Sequence, residues 1–234
     1  MDVRTTDYTQ RRGEIETYFD RTAAATWARL TSDAPVGRIR ATVRAGRDRM
    51  RATLLAALGD DLRGQRVLDA GCGTGALALE AARRGAVVLA IDLSPTLVQL
   101  ARERTASDPA AARIHFRSGD MLDPALGHFD HVVAMDSLIH YEADDAVRVL
   151  SRLAERTRQG MAFTFAPRTP ALAAMHAVGR LFPRGDRSPA IVPVAEAELL
   201  RRLRTEPAFA GWRCAGNVRV ASGFYTSQAL HWVR

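Results

Sequence analysis

Apolar and polar positions alternate along the middle of the chain in a way that predicts strands and helices in turn. Short apolar runs are typical of buried strands, and apolar residues at helical spacing are typical of amphipathic helices. Strands are predicted at residues 66–70, 86–91, 113–117, 131–135 and 161–165, with helices at 75–84, 95–105 and 144–158. Strands that alternate with helices favour a mostly parallel sheet covered on both faces. The pattern therefore predicts a doubly wound α/β fold.

Segments on either side of this alternation predict additions to the sheet. Two helical patterns, at residues 14–30 and 36–58, precede the first strand, so we predict an N-terminal helical lid or arm over residues 1–62. The alternative is that both helices only cover the sheet. An insertion at about residues 168–205 precedes a closing antiparallel hairpin at 212–220 and 224–233. This hairpin brings the predicted sheet to seven strands within one domain over residues 63–234.

A glycine-rich turn follows the first predicted strand and is the first sign of chemistry. Residues 67–75 read Val-Leu-Asp-Ala-Gly-Cys-Gly-Thr-Gly. Glycines let a strand turn sharply and let a ligand approach the backbone beside a helix N-terminus. An ordinary tight turn explains the glycines alone equally well. The Gly-x-Gly-x-Gly spacing differs from the Gly-x-Gly-x-x-Gly that favours a pyrophosphate, so the pattern indicates a different nucleotide-like ligand.

Carboxylates recur where the predicted strands end. Asp69, Asp92, Asp120 and Asp136 each lie at the carboxyl end of a different strand or just beyond it. Because the carboxyl ends of parallel strands meet at one edge of the sheet, we expect these side chains to share a crevice. The sequence thus predicts a ligand site at this edge.

Residues at two of these strand ends have side chains that suit the ribose and the adenine of an adenosine. Asp92 can accept hydrogen bonds from both ribose hydroxyls. The alternative role for Asp92, capping the next helix, is already served by Ser94. Asp120 can accept from an adenine amino group while Met121 lies on the ring, although Asp120 alone is also an ordinary turn residue.

Composition narrows the class of protein without naming a ligand. The 234 residues are 47% hydrophobic and 25% charged, as expected for one sizeable domain. No apolar run approaches the roughly 20 residues needed to cross a bilayer, and the first residues resemble no signal peptide, so a cytoplasmic location is expected. The net charge of +7 comes from dispersed arginines, without the basic stripe and aromatics that a nucleic-acid partner would favour. Two distant cysteines predict neither a disulfide nor a metal site.

Taken together, these motifs resemble those of the class I S-adenosylmethionine-dependent methyltransferases. The resemblance lies in residues 68–75, 91–94, 119–121 and 129–136. It implies a Rossmann-like class I fold and S-adenosylmethionine as methyl donor. The cofactor-binding residues that it implies are Asp69, Ala70, Gly71, Cys72, Gly73, Asp92, Leu93, Asp120, Met121 and Asp136.

A more specific resemblance extends over nearly the whole chain. Residues 18–19, 27, 135–141, 165–170, 181–190 and 223–230 together resemble the magnesium protoporphyrin IX O-methyltransferases. The resemblance implies methylation of a propionate carboxylate, giving the monomethyl ester in chlorophyll and bacteriochlorophyll biosynthesis, with magnesium present only as part of the substrate. It also implies contact with the large subunit of magnesium chelatase and weak peripheral contact with pigment membranes. Thr26 and Ala28 depart from that family's pattern around Trp27.

This reaction asks for orientation of the substrate rather than for a base. A propionate is already ionised near neutral pH, so its oxygen must mainly be held in line with the methyl group. We predict His140 as the hydrogen-bond donor that orients it, with axial contact to the magnesium and capping of the helix near Ala143 as alternatives. The resemblance implies Tyr18 as a second catalytic donor from the lid, whereas its other interpretation is a core aromatic.

The remaining predictions concern the roles of three arginines and one histidine, and the alternative functions of the protein. Arg168, Arg184 and Arg187 either pair with the second propionate or an anionic partner, or are surface groups, and His176 is expected to be structural. The rivals are a carboxyl or hydroxyl methyltransferase of another flat small molecule, a porphyrin carrier without turnover, and a nucleic-acid methyltransferase.

Overall fold

Seven strands form the centre of the fold. The computed structural model describes residues 12–13, 37–168 and 191–234. The strands are β1 (Arg66–Ala70), β2 (Val87–Asp92), β3 (Ile114–Ser118), β4 (Phe129–Ala134), β5 (Thr157–Phe165), β6 (Arg213–Ser222) and β7 (Tyr225–Val233). They lie in the order β3-β2-β1-β4-β5-β7-β6, with β1 to β5 parallel and β7 antiparallel to both of its neighbours. The predicted seven-stranded, mostly parallel sheet with a closing hairpin is confirmed.

Helices cover both faces of this sheet. They are α1 (Arg38–Leu58), α2 (Ala76–Arg83), α3 (Pro95–Thr105), α4 (Ala143–Glu155) and α5 (Glu196–Thr205). One core cluster joins α4 and α5 to the sheet around Phe129, Phe163 and Trp232, and a second lies under α1 and α2. Because both faces are covered, the inner strands are apolar on both sides and their carboxyl ends form the open edge.

Helix α1 contributes directly to the second core. Met50, Leu54 and Leu55 are buried against the sheet, while arginines occupy much of the rest of the helix. These apolar residues recur at helical spacing, which explains why the segment forms one amphipathic helix. The division between an arm over residues 1–62 and a domain from residue 63 stays a prediction, and the α1 part of that arm packs into the same core as the domain.

Element positions follow the sequence pattern, with one clear error in a boundary. β1 and α3 span the predicted residues, and the side chain of Ser94 caps α3 by accepting a hydrogen bond from the amide of Leu97 at 3.2 Å. The prediction placed Arg158 in a helix and began the next strand at residue 161. Instead α4 ends at Glu155 and β5 begins at Thr157, which pairs with Phe129. The first residues of β5 lack an apolar pattern, because Arg158 and Gln159 are exposed and polar. The strand forms there nevertheless, because pairing with β4 satisfies its backbone hydrogen bonds.

Several predictions fall on residues that the structure does not describe. These are the helix at residues 14–30 with Tyr18 and Trp27, and the part of the insertion that holds His176, Arg184 and Arg187. The later part of the insertion is α5, which buries Leu199 and Leu203. Within residues 12–13, 37–168 and 191–234, no helix is long and apolar enough to cross a membrane.

Candidate active site

A cavity of about 430 Å³ opens at the carboxyl edge of the sheet. Its wall includes the glycine-rich turn after β1, the end of β2, the segments after β3 and β4, and one side of α1. Eight of the ten predicted cofactor residues line it, namely Asp69, Gly71, Cys72, Gly73, Asp92, Leu93, Met121 and Asp136. The tertiary structure therefore brings most of the predicted site into one enclosure.

The glycine-rich turn has a shape that side chains would obstruct. Gly71 has a φ of 87°, and a Cβ added there would lie 2.4 Å from the Cβ of Ser137. Gly75 has a φ of 80° and is the N-cap of α2. The amides of Gly71 and Cys72 donate to the carbonyl oxygen of Ile91, at 2.8 and 3.0 Å, which fixes the turn against β2. Glycine is required here because the left-handed backbone and the close approach both penalise a side chain.

Asp92 holds this turn from the end of β2. Its Oδ2 accepts from the amide of Gly73 at 2.8 Å, and its Oδ1 accepts from the amide of Ser94 at 3.0 Å. Burial raises the pKa of the Asp92 carboxyl, whereas these backbone hydrogen bonds oppose that shift. Each carboxylate oxygen has a further lone pair, so the group can still accept from ligand hydroxyls.

Asp69 is the most buried carboxyl group of the site. The residue is 1% exposed, and its Oδ2 has no hydrogen-bond partner among the described residues. Burial and the neighbouring Asp92 raise the pKa of the Asp69 carboxyl to about 7. A buried acceptor without a partner is costly, so this oxygen fits a ligand that brings a hydrogen-bond donor or a positive charge. Burial also raises the pKa of the nearby Cys72 thiol, which therefore stays protonated.

Two predicted cofactor residues do not line the cavity. Ala70 is completely buried in the sheet behind the turn. Asp120 accepts from the guanidinium of Arg12 at 2.8 Å through Oδ2 and from the amide of Leu122 at 2.8 Å through Oδ1. Its neighbour Met121 does line the cavity and is 8% exposed. The adenine contact predicted for Asp120 stays a prediction, and the structure gives its carboxylate protein partners.

His140 reaches the same cavity from the other side. It ends a short 3-10 helix, Leu138–His140, is 4% exposed, and lines the cavity next to Tyr141. The N-cap of α4 is Glu142, so His140 does not occupy the capping position near Ala143. The geometry thus favours a role for His140 inside the cavity over the capping alternative.

Asp136 faces the cavity but is held by protein groups. Its carboxylate oxygens accept from the side chains of Arg47, Thr164, Tyr225 and Ser227. Sequence reasoning missed these four partners. Thr164, Tyr225 and Ser227 belong to strands far along the chain, and nothing local marks them.

Arginines of α1 form a further part of the wall that sequence reasoning missed. Arg44, Arg47 and Arg51 all line the cavity. Their spacing of three and four residues places them on one face of the helix, so the pattern of residues 36–58 contained a signal that could have found them. They bring positively charged groups into the same cavity wall as Asp69 and Asp92.

Arg168, by contrast, lies away from this cavity. It is exposed and lines a separate depression together with Glu142 and Asp144. Its amide donates to the carbonyl oxygen of Val194 at 2.9 Å, which ties the end of β5 to the segment before α5. Among the residues that the structure describes, no group of three or more His, Cys, Asp or Glu side chains could hold a metal ion.

Comparison with known proteins connects this site to one family. The family model described as magnesium-protoporphyrin IX methyltransferase C-terminus matches residues 134–234, and a methyltransferase domain model matches residues 67–160. A magnesium-protoporphyrin O-methyltransferase of Rhodobacter capsulatus is 50% identical over 227 residues, which is 97% of this chain and 98% of the relative. One from Synechocystis is 29% identical and aligns over 94% of this chain and 95% of its own length.

A solved structure agrees with these sequence matches. The crystal structure of magnesium protoporphyrin IX methyltransferase from Synechocystis with bound SAH (S-adenosylhomocysteine) has a TM-score of 0.82 and 27% identity. The superposition covers 95% of this chain and 99% of that one. Together with the 50% identity along nearly the full length of both chains, this likeness shows that the chain belongs to the magnesium-protoporphyrin O-methyltransferase family.

Proposed function

We propose that this chain transfers a methyl group from S-adenosylmethionine to a propionate carboxylate of magnesium protoporphyrin IX, producing the monomethyl ester. One observation carries the proposal: in a member of this family, a single cavity is lined by the glycine-rich turn, by Asp69, whose Oδ2 has no hydrogen-bond partner among the described residues, and by the buried His140. A cofactor site and a hydrogen-bonding group for the acceptor therefore share one enclosure. The magnesium belongs to the substrate.

The residues present fit S-adenosylmethionine. We assign the ribose hydroxyls to Asp92, one face of the adenine to Met121, and the positively charged amino-acid end to Asp69. Asp69 is suited to that end because its buried oxygen gains the partner that it lacks within the described residues. Leu93 and the turn from Gly71 to Gly73 complete this part of the wall.

The chemistry is a displacement at carbon. When bound, S-adenosylmethionine supplies a methyl group on a positively charged sulfur. The propionate oxygen forms a bond to that methyl carbon while the carbon–sulfur bond breaks and its electron pair stays on sulfur. No proton has to be removed, because the propionate is already ionised near neutral pH.

The protein's task is therefore to orient and enclose the reacting groups. His140 donates an imidazole N–H hydrogen bond that directs the carboxylate oxygen toward the methyl group, and the surrounding cavity limits access of water. Correct orientation of two reactants accounts for a large part of the barrier reduction in such reactions. Contact between His140 and the magnesium remains the alternative role, and Tyr18 is proposed as a second donor.

The direct test is incubation of the protein with S-adenosylmethionine carrying a labelled methyl group and magnesium protoporphyrin IX. We expect label in a base-labile ester of the porphyrin, identified by mass. Metal-free protoporphyrin IX serves as the comparison substrate. If SAH binds and the porphyrin changes its visible absorbance on binding but no ester forms, the protein is a carrier. If SAH binds while the porphyrin neither binds nor reacts, the acceptor is a different small molecule.

We also propose a cytoplasmic location with weak peripheral membrane contact, and contact with the large subunit of magnesium chelatase. Family membership supports both proposals. Addition of that subunit should raise the methylation rate at limiting porphyrin, and the protein should sediment partly with vesicles of anionic lipid at low salt. An unchanged rate would contradict the proposed contact with the chelatase subunit, and complete recovery in the supernatant would contradict the proposed membrane contact.

A further inference from the structure

Asp136 has an unusual backbone at the edge of the cavity. It follows β4 and is the one non-glycine residue with a positive φ, 55°, within the part of the chain that the structure describes. A residue with a Cβ pays a free-energy cost in this conformation, although Asp and Asn tolerate it better than most. Such a conformation persists where surrounding contacts determine it strongly.

The contacts around Asp136 come from three other elements of the fold. Arg47 of α1 donates to Oδ2 at 2.6 Å, and Ser227 of β7 donates to Oδ1 at 3.1 Å. The hydroxyl of Tyr225 lies 3.2 Å from Oδ1 and 3.1 Å from Oδ2. Thr164 of β5 donates to Oδ1 at 3.2 Å and accepts from the amide of Asp136 at 2.7 Å. These contacts leave the Asp136 side chain only 5% exposed.

From this network we propose that Asp136 is a positioning residue that holds α1 over the cavity. It acts through Arg47 and Tyr225, and does not need to touch the cofactor. This role differs from the cofactor contact that the sequence predicted for Asp136. Its effect on catalysis rests on the proposed methyl transfer, whereas its effect on the placement of α1 does not.

Packing of Tyr225 against α1 explains how the Asp136 carboxylate can fix the position of this helix. Tyr225 donates to Asp136 through its hydroxyl, and its ring lies directly against α1 at Gly46. A Cβ added at Gly46 would lie 2.5 Å from Cδ1 of Tyr225. The carboxylate therefore binds α1 twice, by the ion pair to Arg47 and by fixing the tyrosine on which the helix rests.

The placement of α1 matters because this helix forms one wall of the site. Arg44, Arg47 and Arg51 line the cavity from it. A shift of α1 would move all three charged groups relative to Asp69 and His140. A displacement of about 1 Å in an active-site wall can lower turnover by as much as 100-fold.

A test needs variants that remove the charge and keep the shape. Asp136→Asn retains side-chain size and tolerates the positive φ, and Arg47→Gln removes the other half of the ion pair. Asp130→Asn is the matched control, since Asp130 also lies on the β4 segment and binds the amide of Arg66 at 2.8 Å, but does not line the cavity. Each full-length variant and the double variant is measured for hydrogen exchange, SAH affinity, kcat and KM.

In Asp136→Asn we expect faster amide exchange confined to α1, and a fall in kcat with magnesium protoporphyrin of about tenfold or more. SAH affinity should change much less. Arg47→Gln should cause the same changes to a smaller degree, because it removes the ion pair and leaves the hydrogen bond from Tyr225 to Asp136. The double variant should lose little beyond Asp136→Asn, because that single change already breaks the ion pair. Asp130→Asn should keep the exchange of α1 and the wild-type kcat.

Three outcomes would overturn the proposal. The first is unchanged exchange in α1 of Asp136→Asn. The second is a loss of SAH affinity larger than the loss of kcat, which would make Asp136 a cofactor ligand. The third is equal loss of kcat in Asp130→Asn at equal melting temperature. Exchange and SAH binding need no porphyrin, so this proposal can fail while the proposed methyl transfer holds, and the reverse.

Discussion

His140 and Asp69 are two nearly buried polar side chains that face one cavity, yet they lend themselves to different tests. His140 is 4% exposed and Asp69 is 1% exposed. The first is proposed to act on the substrate, so its removal should affect turnover. The second has a strongly raised pKa, so its removal should affect how stability depends on pH.

Replacement of His140 by phenylalanine keeps a flat ring of similar size and removes the hydrogen-bond donor. We expect kcat to fall on the order of 100-fold, because the propionate oxygen is no longer directed. SAH affinity, measured by calorimetry, should stay near the wild-type value. His128→Phe, at an exposed position outside the cavity, is the control and should leave kcat unchanged. A loss of SAH affinity in His140→Phe as large as the loss of kcat would assign His140 to the cofactor instead.

Asp69 should make the protein without ligand less stable as pH rises. Its carboxyl has a pKa of about 7 in the folded protein against an ordinary value of 3.8. Between these two values the unfolded chain loses this proton and the folded protein keeps it, so the free energy of unfolding falls by up to ~1.4 kcal/mol per pH unit. Below about pH 4 and above about pH 7 the contribution is flat.

Asp69→Asn removes this titration while keeping the size of the side chain. Denaturant unfolding of both proteins from pH 5 to pH 8 should therefore show a smaller decline in the variant. The variant should gain most over the wild type at the upper end of this range. Parallel pH profiles would show that the carboxyl does not titrate with a raised pKa.

Helix α1 is the element whose packing most shapes the site. Its position depends on close contact with the β6–β7 hairpin, at Gly46 against Tyr225 and at Thr42 against Gly223. A Cβ at Gly223, which has a φ of 57°, would lie 2.2 Å from Oγ1 of Thr42. Glycine is therefore needed at Gly46 on the α1 side and at Gly223 on the hairpin side.

Gly46→Ala should destabilise the protein even though the change favours a helix. At an ordinary exposed helix position, alanine is better than glycine by about 1 kcal/mol. Here the added methyl group would strike the buried ring of Tyr225, and such overpacking costs roughly 1–3 kcal/mol. Chemical denaturation should show a lower free energy of unfolding.

The control for this change is Ala45→Gly, at the neighbouring exposed position of α1. It should cost about 1 kcal/mol, as expected from helix propensity alone. If Gly46→Ala instead stabilised the protein, the close docking of α1 on Tyr225 would be contradicted.

Cofactor binding should stabilise the folded protein. The site is built from the ends of several strands, so it exists only in the folded state. SAH at 100 times its Kd should add about 2.7 kcal/mol to the free energy of unfolding. For a chain of this size, that corresponds to a rise in Tm of roughly 5–10 °C. Differential scanning calorimetry measures the rise directly.

Asp92→Ala should remove most of this rise, since it deletes the proposed ribose contact and releases Gly73. Asp108→Ala is the matched control, because Asp108 also accepts from a backbone amide, that of Ala110 at 2.8 Å, but lies outside the cavity. It should lower the Tm of the unliganded protein and keep the rise caused by SAH. An equal rise in both variants would show that Asp92 does not contribute to cofactor binding.

Local features of the sequence were enough to predict most of the sheet. The glycines of the turn, the Ser94 cap and the alternation of strands and helices each depend on neighbouring residues. Parallel strands then bring their carboxyl ends to one edge whatever the details of packing, so Asp69 and Asp92 were correctly placed together. The resemblance to a known family then allowed the class of substrate to be predicted as well.

Hydrogen-bond partners that lie far apart along the chain could not be predicted from such local features. Arg47 and Asp136 lie 89 residues apart, Ser227 lies 91 residues from Asp136, and Asp120 lies 108 residues from Arg12. Which carboxylates stay open to a ligand and which are used by the protein depends on how α1 and the hairpin pack. Such packing is set by the shapes of many side chains at once, and no local pattern contains it. The sequence pattern alone thus determines which residues lie at the carboxyl edge of the sheet. Only the tertiary structure decides which of them are free to contact a ligand and which bind other side chains of the protein.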